Sequence, residues 1–218
     1  METTYCRKEE AANAATHAAG LVCALAGAAV VVAAAIRQGQ AWEIAGCVIY
    51  AVTLVAVYAG STLSHLFHKP SLRYALRIAD QAIIYLFIAG TFTPMAFTWL
   101  RHGLWWIFLA AMWTVALIGF TRKAIFAHRV EMGMVSTVLY LVLGWMPVVV
   151  IWPLAQIMPV GLTAWIVVGG LCYTFGIIFF HYDHHVRYFH AAWHMMVIAG
   201  SVCHYLGVFF YCTKPATG

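Results

Sequence analysis

Residues 44–100, IAGCVIYAVTLVAVYAGSTLSHLFHKPSLRYALRIADQAIIYLFIAGTFTPMAFTWL, hold two apolar stretches separated by a basic break containing Lys69, Arg73 and Arg77. The stretches run over roughly 44–64 and 79–100, and each supplies the ~20 mostly apolar residues that a bilayer-spanning helix needs. Neither shows the short polar–apolar alternation of a barrel strand, so the segment reads as two membrane helices joined by a short loop.

The same pattern repeats outward in both directions. Further spans fall at roughly 18–36, 104–120, 132–152, 160–180 and 190–212, giving seven in all. The composition agrees: 64% of the 218 residues are hydrophobic and 9% are charged, against about half and about a quarter in a soluble domain. The chain therefore reads as an all-α integral membrane protein, a single seven-transmembrane domain over residues 1–218. Lys and Arg set its direction. With the N-terminus inside, Arg7, Lys8, Lys69, Arg73, Arg77, Arg122, Lys123, Arg129 and Arg187 lie in cytoplasmic segments, and only Arg37, Arg101 and Lys214 lie outside. Trp42, Trp99, Trp105, Trp106, Trp152 and Trp165 fall near the outer ends, where indoles anchor helices. The expected location is the plasma (inner) membrane, multi-pass, with the C-terminus outside.

Several readings are disfavoured. The run Leu21–Ile36 has the Ala-rich character of a signal peptide, but Glu9, Glu10 and His17 precede it. The net charge of +5 sits in loops, where it sets topology, and suggests no nucleic-acid partner. The six cysteines are scattered and form no metal or disulfide pattern. No lysine lies within a span, which excludes a retinal Schiff base.

Eleven histidines against seven carboxylates is the unusual feature. Ionisable groups within or at the mouth of spans are costly unless paired, solvated or metal-bound. Four sets stand out. His190 and His194 in FHAAWHMM lie four apart on one helix face, a spacing that suits one metal ion. The pair His181 and His185 competes with them from a polar loop. Ser61 and His65 share a face at the end of span two, with His68 a weaker rival ligand. Asp80 opens span three, where it has the choice of pairing with Arg77 or of holding and deprotonating a metal-bound water. Pro94, deeper in that span, should kink or loosen it. Glu10, Asn13 and His17 line one stripe of a helix leading into span one. Each has a bland alternative: solvated interfacial histidines, a back-bonded serine, a simple ion pair, an amphipathic lead-in.

The topology puts all four sets at the cytoplasmic ends of their helices, in one layer of the bilayer. His204 is excluded from that layer, since it lies 14 residues past His190, roughly 21 Å along the axis. Three histidines and a water form an open zinc site of the catalytic kind. Neutral imidazole also suits iron, copper and nickel, so zinc is a preference.

These motifs resemble the hemolysin III family, the bacterial branch of the progestin and adipoQ receptor (PAQR) superfamily. E-x-x-N-x-x-x-H matches Glu10, Asn13 and His17; S-x-x-x-H with a downstream D matches Ser61, His65 and Asp80; H-x-x-x-H matches His190 and His194. IAGTFTP at 88–94 and GSVCHY at 200–205 also read like the family. The resemblance implies zinc held by His65, His190 and His194, with Asp80 and Ser61 contacting the zinc-bound water and Glu10, Asn13 and His17 behind them. Related receptors and alkaline ceramidases suggest hydrolysis of a lipid amide or ester. Ser64 stands where family members commonly have Tyr, placing a second hydroxyl beside His65.

Two function classes follow. One is a zinc-dependent membrane hydrolase acting on ceramide-like or other acyl lipids near the cytoplasmic face, with membrane lipid as its partner. The other is a non-enzymatic sensor, receptor-like or haemolytic pore protein with a structural zinc. No span carries the continuous polar stripe a water-filled lumen needs. A metal transporter should show midplane ligands and broken helices, and few are apparent.

Overall fold

The computed structural model describes residues 6–101, 105–126, 133–149 and 156–216. Among them are seven helices and no strand: α1 (Arg7–Gln38), α2 (Ala41–Leu66), α3 (Pro70–Trp99), α4 (Trp105–Phe126), α5 (Gly133–Val149), α6 (Val160–His181) and α7 (Phe189–Tyr211). Six are long and apolar enough to cross a membrane, and α5 is a 17-residue apolar helix. Residue 104 of the expected fourth span and residues 132 and 150–152 of the expected fifth lie outside the described residues. Large apolar side chains such as Val22, Leu25, Ile107, Ile118 and Val160 are more than half exposed. Such a surface is stable only against lipid. The chain is a multi-pass helical membrane protein.

Two helices start well before their apolar runs. α1 has 32 residues, roughly 48 Å at 1.5 Å per residue, so its first turns exceed a hydrocarbon core of about 30 Å. Those turns stay helical because Glu9 Oε2 accepts the Cys6 N–H at 3.0 Å, satisfying one of the free amides of a helix start. α3 starts at Pro70, whose fixed φ and missing N–H suit a first helical position. It continues through Pro94 to Trp99.

Consecutive helices pack as neighbours, and α7 closes the bundle by returning to α1. α3 is the most enclosed helix and touches α2, α4, α5 and α7. Between α5 and α6 the packing is sparse. A cavity of about 230 Å³ lies there, lined by residues from all seven helices.

Candidate metal centre

The polar starts of α1, α3 and α7 and the polar end of α2 meet at one end of the bundle. His65 on α2 and His190 and His194 on α7 offer three ligand nitrogens within 4.8 Å of one another. The ring centroids of His65 lie 5.2 Å from each of the other two, and those of His190 and His194 are 4.6 Å apart. His65 and His194 are buried and His190 is half-buried.

Each ring is held from behind through Nδ1. His65 Nδ1 lies 2.9 Å from Glu10 Oε2, His190 Nδ1 lies 2.7 Å from Asp183 Oδ2, and His194 Nδ1 lies 3.0 Å from Thr16 Oγ1. A carboxylate accepts here, so Nδ1 donates in the first two rings. Thr16 directs its own hydroxyl proton to the Ala12 and Asn13 carbonyls, so Nδ1 donates in the third as well. All three imidazoles then carry the Nε2 lone pair, the neutral form that binds a metal, with its orientation fixed by an outer partner. The donor set fits one metal ion.

Glu10 is itself anchored by Arg73, and Arg77 stands 3.6 Å from the same oxygen. The ion pair that Arg77 makes within 4 Å is thus to Glu10. The His17 ring lies against that of His194, with centroids 3.6 Å apart and planes tilted by 34°, and 5.2 Å from that of Tyr58. Asn13 is fully buried beside them, and its side chain has no hydrogen-bond partner among the described residues. Asp80 and Ser61 line the cavity together with His17, His190 and His194. Ser64 donates to the Ser61 carbonyl at 2.9 Å and stands 3.4 Å from Asp80 Oδ2. Ser64 thus reaches the Asp80 carboxylate.

The residue pattern singled out His65, His190, His194, Glu10, His17 and Asp80 but missed Thr16 and Asp183. Asp183 is buried although it belongs to the loop HYDHHVRY, which reads as solvated. That loop folds back through a left-handed Tyr188 at φ 63°, whose N–H approaches Glu9 Oε1 at 3.3 Å. His181, His185 and His68 are exposed and stand outside the cluster.

The family description "Haemolysin-III related" matches residues 5–205. The chain belongs to the haemolysin-III-related family. It is 34% identical to Hemolysin-3 of Bacillus cereus over 96% of this chain and 94% of that relative. The Hemolysin-3 homolog of Bacillus subtilis (strain 168) is 34% identical over 95% of this chain and 96% of its own length. A more distant relative, the human monocyte to macrophage differentiation factor, is 27% identical over 96% of this chain and 87% of its own. No solved structure matches the chain. This haemolysin-III-related protein thus has a buried three-histidine group able to hold a metal ion, facing an apolar cavity.

Proposed function

We propose that this protein is a zinc-dependent membrane hydrolase that cleaves a lipid amide or ester, of the ceramide-like class, at the cytoplasmic end of the bundle. The observation that carries the reading is a three-histidine cluster opening on an apolar cavity whose wall also holds a carboxylate and a hydroxyl. A purely structural metal would have little use for that cavity, and closed structural sites generally take four protein ligands.

His65, His190 and His194 would hold the ion, kept in register by Glu10, Asp183 and Thr16. When bound, zinc supplies a Lewis acid and brings the pKa of water toward neutrality. Asp80 serves as the proton acceptor and donor of the reaction, held by Ser64. Ser61, on the helix face of His65, positions a substrate oxygen by hydrogen bonding. The apolar wall takes the acyl chain and excludes bulk water.

The test is metal analysis of the wild type, His65→Ala and Asp80→Ala, paired with hydrolysis of a ceramide in mixed micelles. We expect one zinc per chain in the wild type, its loss in His65→Ala, and its retention in Asp80→Ala with activity lost in both. A wild type without stoichiometric metal, or His65→Ala retaining it fully, overturns the reading. A non-enzymatic sensor with a structural zinc is the second reading. It is favoured by the way the cluster joins α1, α2 and α7, and it expects metal in the wild type with no hydrolysis of any acyl lipid.

A further inference from the structure

Three helices give the cavity the same length. It borders α3 from Asp80 to Met95, α6 from Phe180 back to Ile166, and α7 from His190 to His204. Each stretch advances 14 or 15 residues, which is about 21–23 Å of helix. The walls also start and stop together. The Phe180 and His190 rings meet at the metal end with centroids 6.1 Å apart, and His204 Nε2 lies 3.2 Å from the Ile166 carbonyl at the other. The cavity is therefore a tube along the bundle, and a volume of about 230 Å³ over that length has room for one extended chain, not two.

The end away from the metal centre is blind. One turn beyond Ile166 and His204, the same helix faces carry Leu162 and Val208, and both side chains are fully buried. There α6 and α7 close on each other: a Cβ at Gly207 would come 3.2 Å from the Trp165 Cβ and 3.3 Å from the Leu162 Cδ1. Part-way along, the tube is kept open by a residue without a side chain. Gly144 of α5 lines it, as do Tyr140 and Leu141 one turn before and Pro147 one turn after, so its Cα faces inward. Nothing lies within 4 Å of a Cβ added there. Its neighbour Trp145 donates to Thr174 at 2.9 Å, which sets Gly144 level with the middle of the α6 wall.

We propose that this tube measures the acyl chain. One chain lies in it, methyl end toward Leu162 and Val208 and carbonyl at the three-histidine cluster. Extended C–C bonds of about 1.5 Å advance roughly 1.3 Å each, so the blind end stops the chain at roughly sixteen carbons. Gly144 lets the chain pass the middle, and Leu162 sets where it ends. The inference rests on the cavity being the seat of the lipid in the proposed reaction. It narrows that lipid to one whose cleaved acyl chain has at most about sixteen carbons.

The test is binding of labelled saturated fatty acids of about 8 to 24 carbons to the zinc-loaded full chain, each at the same mole fraction in detergent micelles, so that the micelle cancels the gain per methylene. Affinity should hold up to about sixteen carbons and fall about tenfold or more by about twenty, because a chain too long for its site overpacks it. Gly144→Leu and Gly144→Phe fill the middle of the tube and should lower the limit by about four carbons or more. Leu162→Ala opens the blind end and should raise the limit by about two. One zinc per chain certifies an intact fold in each variant, and where the Phe variant does not load zinc the Leu variant decides. Affinity that holds through the longest acid, no binding at any length, or a limit that none of these variants moves overturns the proposal. The two readings fail separately. A length limit without hydrolysis of any acyl lipid leaves the tube and removes the hydrolase; hydrolysis indifferent to chain length does the reverse.

Discussion

At the residue scale, Glu10, Asp183 and Thr16 stand behind the three histidines able to hold a metal ion, and of these three only Glu10 is announced by sequence spacing. A histidine four residues from another, or from a serine, declares a shared helix face by spacing alone. Glu10, Asn13 and His17 were likewise legible as one stripe of a helix. Asp183 carries no such periodicity. It sits between His181, Tyr182 and His184 in a loop, and only the turn through Tyr188 brings its Oδ2 within 2.7 Å of His190, seven residues on. Its other oxygen lies 3.1 Å from the exposed His184 Nδ1. A buried carboxylate on the back of a ligand imidazole fixes the ring's tautomer and raises its basicity, and losing such a partner weakens metal binding by about 10–100-fold. Asp183→Asn keeps the shape and removes the charge. Chelator competition should show zinc affinity falling by about that factor, with the helical circular dichroism signal unchanged. An unchanged affinity would mean that the contact with His190 does not orient the ligand.

At the element scale, the apolar runs located all seven helices but understated two of them. Hydropathy reads only what lies in lipid, so α1 and α3 were expected from about 18 and 79, whereas they begin at Arg7 and Pro70. Their extra turns are polar because they face the metal centre and its arginines, not water alone. The close fit of α2 on α3 was also hidden, since it depends on which glycine meets which helix. Gly46 lies against Pro94, and a Cβ there would come 2.8 Å from the Pro94 Cα, a backbone atom that no rotamer change can move. Gly46→Ala should therefore force the helices apart, lowering stability by about 1–3 kcal/mol as overpacking does. Gly144→Ala is the matched control, because nothing lies within 4 Å of its added Cβ and alanine is the better helix former. Thermal unfolding in detergent should show a lower midpoint for the first variant and an equal or higher one for the second. Equal midpoints would mean that α2 and α3 have slack at this contact.

At the scale of the whole molecule, the two ends of the bundle are joined by different chemistry. The end that holds Trp99 is tied by protein alone: the indole donates to the Tyr211 carbonyl at 3.0 Å, Thr98 donates to that of Cys212 at 3.4 Å, and Arg101 stands 3.8 Å from the buried Glu43. The opposite end gathers Glu10, Arg73 and Arg77 behind His65, with His190 and His194 crowded against it. Three neutral imidazoles whose lone pairs converge repel one another unless a cation lies between them. If the proposed ion is bound there, that end gains packing from it, and the other does not. Because α1, α2 and α7 all contribute to it, a bound metal joins the first helices of the chain to the last. An ion that binds only the folded state stabilises it by about 2.7 kcal/mol when its free concentration is a hundredfold above Kd. Chelation should accordingly lower the thermal midpoint in detergent, and restoring zinc should recover it. The loss should also be local. Amide hydrogen exchange should quicken in the first turns of α1 and α7 and the last turns of α2, while the amides around Trp99 and Tyr211 keep their protection. His65→Ala should show the same pattern without chelator and no further response to it. Uniform loss of protection along the helices would mean that the metal holds up the fold as a whole, which is what a structural site would do and a catalytic one need not.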